Sequence, residues 1–470
     1  MDGTRDVTGP VNVCARAIGP PAGIDDVHVV TTDVLGQPLG RSEEIETGRG
    51  GHRRYDTAVD TPIPADADRL SAVRAAIPAL DAGIYLNTGS AGPLPAETAA
   101  AMAELAAYEL RTGRGHVDYF MEMLQRMAEA RAAVAAVLIA DAADIALTHA
   151  TTDGMNIGIW SIDWKPGDRA VTTNLEHPGG TGALHNLRRR LGIEIDVVDV
   201  GMGADPKAIL AGFDAAIGPG TRLVAVSHVL WVTGAVLPIE GIAEIAHARG
   251  ALVVVDGAQS AAAIPVDAPA TGADVYAIPA QKWLLGPEGM GAVYIAPRAR
   301  DRLEPAFGGH FTFETIDPRG SAVPWPDARR FEMSNYYGPS IVGMARSIGW
   351  LSMFVGLDWV YARGMALAAL TAQRLAAIDG VDVLTPRDRM ATLVAFRIAG
   401  WTAQQALDEL SARVFVIARI VPLVDAVRIS VGFFNSEAEL DLFVGAVDML
   451  AAHSPATIPP RRTLAMLGGE

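Results

Sequence analysis

Short apolar runs alternate with longer segments of helical periodicity through the middle of the chain. The runs are rich in Val, Ile and Ala and are bounded by turn-forming residues. Such runs between helical segments are typical of strands in a sheet that helices cover on both faces. The pattern predicts an α/β domain with a seven-stranded, mainly parallel sheet, with strands at residues 145–148, 169–173, 195–198, 223–226, 252–255, 275–278 and 291–295.

Helical patterns and a second strand-containing region flank this core. Ala-rich helices are predicted at residues 96–110 and 121–138. From about residue 338 a long helical stretch leads into a smaller α+β segment, with strands predicted at 391–396 and 426–431. By contrast, residues 1–68 are rich in Gly, Pro, Asp and Thr and show neither helical nor strand periodicity.

The change in pattern along the chain predicts four parts. Residues 1–68 form a poorly packed N-terminal extension, and residues 69–94 join the small domain. Residues 95–337 form the large domain, and residues 338–470 form the small C-terminal domain. We interpret the extension as lying on a partner subunit, with a small covering element as the alternative.

Composition and charge exclude several classes of protein. The chain has 470 residues, of which 50% are hydrophobic and 20% charged, as in ordinary globular proteins. A formal net charge of −16 argues against nucleic acid and anionic membrane as partners. The single cysteine, Cys14, cannot form a disulfide framework, and no metal site is predicted. No signal peptide or bilayer-spanning run is evident, which favours a cytoplasmic protein.

Two polar residues follow neighbouring predicted strands and indicate a cofactor. The run Val253-Val254-Val255 ends on Asp256, and the strand at 275–278 is followed by Lys282. A lone lysine forms a Schiff base with the aldehyde of pyridoxal 5′-phosphate (PLP), and a carboxylate keeps the pyridine nitrogen protonated. The freed amine is the natural general base at the substrate α-carbon. Together they predict a PLP enzyme, although Asp256 alone could be a helix N-cap and Lys282 an exposed strand-end lysine.

Four further residues are candidates for holding that cofactor. Gln259 follows Asp256 by three positions, so its amide could reach the phenolic oxygen. Thr151 and Thr152 open a predicted helix after a strand, where free N–H groups and the helix dipole favour a phosphate. His177 follows another strand and could stack on the cofactor ring. The alternatives are an ordinary N-cap for the threonines and a structural role for the histidine.

Arg428 lies inside the apolar strand at 426–431 and is a candidate for binding the substrate. A buried arginine usually has an anionic partner. Its planar guanidinium suits bidentate binding of an amino-acid α-carboxylate. A structural ion pair is the alternative.

From about residue 70 onward, the chain resembles class V aminotransferases of PLP fold type I. Seven segments match in order: Tyr85-Leu86-Asn87-Thr88-Gly89-Ser90-Ala91-Gly92-Pro93-Leu94-Pro95, His149-Ala150-Thr151-Thr152-Asp153-Gly154, Glu176-His177-Pro178, Ser227-His228-Val229, Asp256-Gly257-Ala258-Gln259, Gln281-Lys282-Trp283 and Arg330-Phe331-Glu332. The resemblance implies a homodimer with active sites at the interface and an amino acid as the small-molecule substrate.

The resemblance also implies a role for each site residue. Lys282, Asp256 and His177 are the predicted catalytic residues. The predicted cofactor contacts are Thr151, Thr152, His177, Asp256, Gln259, Gln281, Lys282 and Asn335, and the predicted substrate contacts are Arg428, Asn87, Trp231 and Tyr336. In the family a residue just after Arg-Phe-Glu reaches the neighbouring subunit's phosphate, and Asn335 or Tyr336 has that place here.

Departures from the family pattern narrow the expected reaction. Cysteine desulfurases carry His-Lys where this chain has Gln281-Lys282, and a Ser-Asn pair where it has Leu230-Trp231. They also need a mobile cysteine in the C-terminal part, whereas Cys14 is in the extension. The departures from the family pattern therefore effectively exclude desulfuration through an enzyme persulfide. The resemblance favours the branch around isopenicillin N epimerase, which also includes enzymes that process cysteine S-conjugates.

We therefore expect a PLP-dependent lyase that cleaves the carbon–sulfur bond of a cysteine S-conjugate by β-elimination, in secondary or thiol metabolism. Three other reactions use the same residues: decarboxylation-coupled oxidative deamination, epimerisation and transamination. The sequence does not choose among them, because fold-level analogy does not fix the bond that is broken. A non-catalytic sensor or partner protein is a further alternative, against which the intact Lys282 argues.

Overall fold

The structure is a computed structural model that describes residues 66–317, 319–333 and 335–461. Residues 1–65, which include Cys14, lie outside the described part. The poorly packed extension predicted for residues 1–68 therefore stays a prediction.

Strands in the described residues form one large sheet and three small ones. The large sheet has the order β2-β8-β7-β6-β5-β3-β4. Strands β3 to β7 pair in parallel, whereas β8 is antiparallel to both β7 and β2. The predicted α/β fold with a seven-stranded, mainly parallel sheet is confirmed. The bounds are β1 (Ile84–Tyr85), β2 (Ile145–Thr148), β3 (Arg169–Thr173), β4 (Glu194–Val198), β5 (Thr221–Ser227), β6 (Leu252–Asp256), β7 (Val275–Pro279), β8 (Gly291–Ile295), β9 (Phe313–Ile316), β10 (Ala322–Pro324), β11 (Val381–Val383), β12 (Leu393–Ile398), β13 (Val416–Ile417), β14 (Arg419–Val421) and β15 (Ala426–Ser430).

Helices connect and cover these strands. The two predicted Ala-rich helices appear as α2 and α3, each slightly longer than the sequence pattern indicated. The bounds are α1 (Ala67–Ala75), α2 (Ala96–Thr112), α3 (Val117–Leu138), α4 (Thr151–Trp160), α5 (Pro178–Leu191), α6 (Pro206–Ala216), α7 (Ile239–Ala248), α8 (Gly338–Gly349), α9 (Leu357–Ala376), α10 (Ala403–Val414) and α11 (Glu437–Ala451), with a π-helical turn at Trp350–Val355.

The register of the large sheet brings the carboxyl ends of its central strands to one edge. Ser227 at the end of β5 lies opposite Asp256 at the end of β6, which in turn lies opposite Ala277 of β7. Strands β5, β6, β7 and β8 are almost entirely buried. Their Val- and Ile-rich sequences reflect this burial on both faces. In an open parallel sheet, ligands bind beyond the carboxyl ends of the strands, so this edge is where a site is expected.

Helix α4 approaches the sheet through glycines. A Cβ at Gly154 would lie 2.7 Å from the Ala277 Cβ, and one at Gly158 would lie 2.9 Å from a Val254 methyl group. A larger residue at either place would push the helix outward. The glycines thus fix how closely the first turn of α4 lies to the end of β7.

A smaller antiparallel sheet of order β11-β12-β15-β14 forms a second core with helices α9, α10 and α11. Its buried side chains include Leu367, Phe396, Val427 and Phe443. Strand β1 pairs in parallel with β13, so the segment before α2 contacts this sheet region. Helix α8, by contrast, packs against α2 and α3 in the core of the large sheet. The domain boundaries proposed from the sequence remain proposals.

Among the described residues, no single helix is long and apolar enough to cross a bilayer. Two consecutive segments, Gly338–Val355 and Leu357–Ala376, reach that length and apolar composition only when taken together, and they meet at an angle of 84°.

Candidate active site

A cavity of about 260 Å³ lies at the carboxyl edge of the large sheet, beside β14 and β15. It brings together nine of the twelve predicted site residues. Its lining comprises Gly89, Ser90, Ala150, Thr151, Thr152, His177, Ser227, Val229, Trp231, Asp256, Ala258, Gln259, Pro279, Gln281, Lys282, Arg419 and Arg428.

Lys282 lies three residues beyond the end of β7 and faces this cavity. Burial, together with the nearby cations Arg428 and Arg419, lowers the pKa of its ammonium group to about 8. The carboxylate of Asp256 acts in the opposite direction. An amine with this pKa is partly neutral near pH 7 to 8, as a nucleophile or general base requires.

Asp256 is the last residue of β6 and is 6% exposed. Its Oδ1 accepts a hydrogen bond of 2.9 Å from the Ala258 N–H. The capping contact considered from the sequence is thus present, but it uses one carboxylate oxygen. The side chain still lines the cavity and stays available to a positively charged ring nitrogen.

The first turn of α4 offers donors that have no partner among the described residues. Its N-cap residue, Ala150, provides no side-chain cap, and the buried Thr151 hydroxyl has no hydrogen bond. Thr152 lies beside it, and a Cβ at Gly179 would lie 2.5 Å from its hydroxyl oxygen. Free N–H groups, a helix dipole and an orphaned hydroxyl at one place suit a phosphate group.

His177 has a structural contact as well as a place at the cavity. It is the N-cap of α5, where its Nδ1 accepts a 3.1 Å hydrogen bond from the Gly179 N–H. Its ring meets the Trp231 ring edge-on at 5.3 Å. Partial burial lowers its pKa, and the Lys282 cation adds to this. A neutral, fixed imidazole suits stacking on a planar cofactor, which stays a prediction.

Gln259 is already committed to protein contacts. Its Nε2 donates to the Gly89 carbonyl at 2.8 Å, and its Oε1 accepts from the Trp283 indole at 3.0 Å. One amide hydrogen is left for the predicted contact with the phenolic oxygen. Gln281 also lines the cavity, and its Oε1 is buried without a partner in the described part of the chain.

Arg428 lies in β15 with 0% of its surface exposed. Its Nη1 donates to the Trp231 carbonyl at 2.7 Å, while Nε and Nη2 have no partner among the described residues. No ion pair among the described residues includes it, so the structural ion pair considered from the sequence is not observed there. Burial, and then the charge of Arg419, lower its pKa to about 9. A buried guanidinium with free donors suits a carboxylate ligand.

Three predicted residues lie outside the lining of this cavity. The Asn87 side chain accepts a 2.7 Å hydrogen bond from the Ser90 hydroxyl. Asn335 and Tyr336 line a second cavity of about 470 Å³, near α2 and α3. The Tyr336 hydroxyl donates to the Leu147 carbonyl at 2.6 Å. Within one chain they do not meet Lys282, so their roles toward a partner subunit stay predictions.

The sequence reasoning missed two residues of the site: Arg419, which lines the cavity, and Glu176, which lies behind it against the lining residue Ser227. Arg419 lies opposite Arg428 in the β14–β15 pair. Strand β14 has three residues, which is too short for the sequence pattern to predict its pairing. Glu176 accepts hydrogen bonds from the Thr173 and Ser227 hydroxyls. Burial, with a smaller contribution from the Asp256 carboxylate, raises its pKa to about 7. Its place directly before His177, in one of the matching segments, was an available signal.

The donor set fits PLP. The orphaned Thr151 hydroxyl and uncapped α4 fit the phosphate, Asp256 fits the ring nitrogen, and Lys282 fits the aldehyde. In the described residues no group of three or more His, Cys, Asp or Glu side chains could hold a metal ion.

Comparison with known proteins agrees with this fit. Residues 84–443 match the family described as Aminotransferase class-V. A probable cysteine desulfurase of Methanothermobacter thermautotrophicus is 28% identical over 400 residues, covering 82% of this chain and 98% of that protein. The isopenicillin N epimerase of Streptomyces clavuligerus is 28% identical over 390 residues, covering 78% and 94%.

Solved structures of the protein C-DES are also similar. One is described as the cystine C–S lyase C-DES in complex with its reaction product cysteine persulfide. It has a TM-score of 0.75 and 26% identity, and the match covers 81% of this chain and 100% of that chain. Another has glycine covalently linked to the PLP cofactor, with a TM-score of 0.76, 26% identity, and coverage of 80% and 98%.

Proposed function

The chain belongs to the aminotransferase class V family and is a PLP-dependent enzyme, and on this premise we propose that it cleaves the carbon–sulfur bond of a cysteine S-conjugate by β-elimination. The observation that carries the proposal is the cavity in which Lys282, Asp256 and Arg428 meet, while residues 66–461 contain no cysteine. A sulfur substituent leaving with its own carbon group needs no enzyme thiol. One of the similar structures is named as a C–S lyase, which supports cleavage of the same type of bond here.

Each side chain has a defined task in this reaction. Bound PLP withdraws electrons from the substrate α-carbon, which acidifies its C–H bond. Arg428 holds the α-carboxylate through its free Nε and Nη2 donors. Lys282, with a pKa of about 8, takes the α-proton as a neutral amine and returns a proton to the departing sulfur. Asp256 stabilises the positive charge on the ring nitrogen. With water, the products are a thiol, pyruvate and ammonia.

We also propose a homodimer with two equivalent sites. Asn335 and Tyr336 line a cavity away from the Lys282 of their own chain. Exposed apolar side chains on α2, α3 and the π-helical turn provide a surface for the partner.

The test is product analysis with purified enzyme, PLP and S-substituted L-cysteines in air. Thiol, pyruvate and ammonia in equal amounts would support the lyase. A retained carbon–sulfur bond with loss of carbon dioxide or nitrogen would indicate oxidative deamination. Inverted substrate or pyridoxamine phosphate would indicate an epimerase or an aminotransferase.

Lysine substitution links this activity to the site. The chain has three lysines, Lys165, Lys207 and Lys282. Lys282→Ala should lower turnover by a factor of about 10³ or more, because the covalent link and the base are lost together. Lys165→Ala is the matched control, since Lys165 is exposed and outside the cavity. Wild-type rates in Lys282→Ala would disprove the assignment.

Cysteine desulfuration is a second candidate, favoured by the relative from Methanothermobacter thermautotrophicus. It would need Cys14, the single cysteine, which lies outside the described residues. L-cysteine with a reductant would then yield sulfide and alanine, and Cys14→Ser would abolish this. Unchanged activity in Cys14→Ser would leave the β-elimination.

A further inference from the structure

Arg419 and Arg428 face the same cavity from neighbouring strands. They are directly paired across β14 and β15. Side chains at directly opposite positions of an antiparallel pair lie on the same face of the sheet, about 5 Å apart at Cβ. Both residues line the cavity that contains Lys282. Two guanidinium groups are thus concentrated at one wall of the site.

Like charges in this arrangement destabilise a sheet unless an anion lies between or beside them. Neither arginine forms an ion pair with a carboxylate among the described residues. Arg419 contacts the Ser90 hydroxyl and the Ile420 carbonyl, both at the long distance of 3.4 Å, and lies 5.7 Å from the centre of the Trp231 ring. These are weak, neutral contacts, and they leave its charge uncompensated.

The proposed chemistry uses every other charged group of the cavity but not this one. Lys282 links to the aldehyde, Asp256 serves the ring nitrogen, and the first turn of α4 takes the phosphate. Arg428 is fully buried at the inner end and takes the α-carboxylate. Arg419 is only partly buried, so it is the more solvent-accessible of the two guanidinium groups. It is also close enough to Lys282 for its charge to lower the pKa of that amine.

We propose that Arg419 binds a second anionic group carried by the substrate side chain. The enzyme then prefers amino acids whose S-substituent bears a carboxylate or a similar anion, and the Trp231 ring packs along the chain between the two charges. This preference rests on the proposed function, since it specifies the substrate of the same site.

The test compares two isosteric ligands of the PLP-loaded enzyme, S-carboxymethyl-L-cysteine and S-carbamoylmethyl-L-cysteine. They differ in the charge of the terminal group. Binding is measured from the change in cofactor absorption, and turnover from thiol release. We expect the carboxylate ligand to bind about 10 to 100 times more tightly in the wild type, as for a charge-assisted hydrogen bond. Equal binding of the two ligands would overturn the proposal.

Variants assign the preference to the residue. Arg419→Gln should remove it by weakening the carboxylate ligand alone, and Arg419→Lys should restore part of it. Arg397→Gln is the control, since Arg397 lies in β12 and is exposed outside the cavity. If Arg419→Gln weakened both ligands equally, Arg419 would serve the shared α-carboxylate instead. The wild-type comparison needs no variant, so misfolding of one cannot obscure the result.

The two readouts separate this proposal from the lyase. Preferential binding without thiol release would uphold the anion site and refute the β-elimination. Thiol release at equal rates from both ligands, with equal affinities, would uphold the β-elimination and refute the anion site.

Discussion

At the scale of single residues, the site is tuned by charges that act on one amine. Burial and two arginines lower the pKa of Lys282 to about 8, and Asp256 opposes them. Asp256→Asn should therefore lower the pKa further, whereas Arg419→Gln should raise it. The pH dependence of acylation in the cofactor-free enzyme, followed for the Lys282 peptide by mass spectrometry, measures both shifts. Lys165 and Lys207 are internal references, and shifts in the same direction would contradict this account.

Glu176 makes a second prediction at this scale. Its pKa is raised to about 7, so between about pH 4.5 and 7 the folded state keeps a proton that the unfolded state releases. Stability then falls as pH rises, and the cost is complete above about pH 7. Glu176→Gln removes this cost. The free energy of unfolding of Glu176→Gln, relative to that of the wild type, should therefore rise by about 1 to 3 kcal/mol from about pH 4.5 to about pH 8.

Denaturant midpoints of wild type and Glu176→Gln at these two pH values test this. Glu194→Gln, at an exposed carboxylate on the edge strand β4, is the control. A difference between wild type and Glu176→Gln that is the same at both pH values would show that the carboxyl group does not titrate between them.

At the scale of elements, the contact between α4 and β7 positions the phosphate donors. Gly154→Ala places a methyl group 2.7 Å from Ala277 Cβ, so the helix must shift and carry Thr151 with it. We expect PLP affinity to fall about 10-fold or more, measured by titration of the cofactor-free enzyme. Gly182→Ala in α5 is the matched control because nothing lies within 4 Å of its new Cβ. Equal affinities for the two variants would contradict the role of Gly154.

The elements also show how far a sequence can be interpreted in advance. The central strands β5 to β8 are predictable because burial on both faces makes them nearly continuous apolar runs, as in Val253-Val254-Val255. The hairpin β9–β10 is not predictable in this way. In β9, Phe313 is partly buried and the other three residues are exposed, so the strand has no apolar run. Lys282 and Asp256 follow from their strand ends. The place of Arg419 at the cavity cannot be predicted in this way, because it depends on the pairing of β14 with β15 opposite Arg428.

At the scale of the whole molecule, the exposed apolar surface predicts self-association. Leu110 is 88% exposed at the end of α2, and Met353 is 85% exposed in the π-helical turn. Helix α2 packs against α8, and the π-helical turn continues α8 directly. We expect a dimer of twice 49.4 kDa by light scattering. Leu110→Asp should shift the mass toward the monomer, because a buried unpaired charge is costly.

Leu442→Asp provides the control for that measurement. Leu442 is 61% exposed on α11, an element of the smaller core. If both variants kept the wild-type mass, the α2 surface would not be the interface. A monomeric wild type would refute the dimer itself.

The cavity wall is formed by residues that are far apart in the sequence, and this has a consequence for folding during synthesis. The hydrogen bond between Ser90 and Arg419 joins residues 329 positions apart, and β1 cannot pair until β13 exists. Contacts of such sequence separation form late, because loop closure must precede them. A chain emerging from the ribosome therefore exposes Lys282 well before the wall that carries Arg428 is synthesised. Tight binding of the cofactor therefore requires the fully synthesised and folded chain, and the bound cofactor stabilises only that folded state.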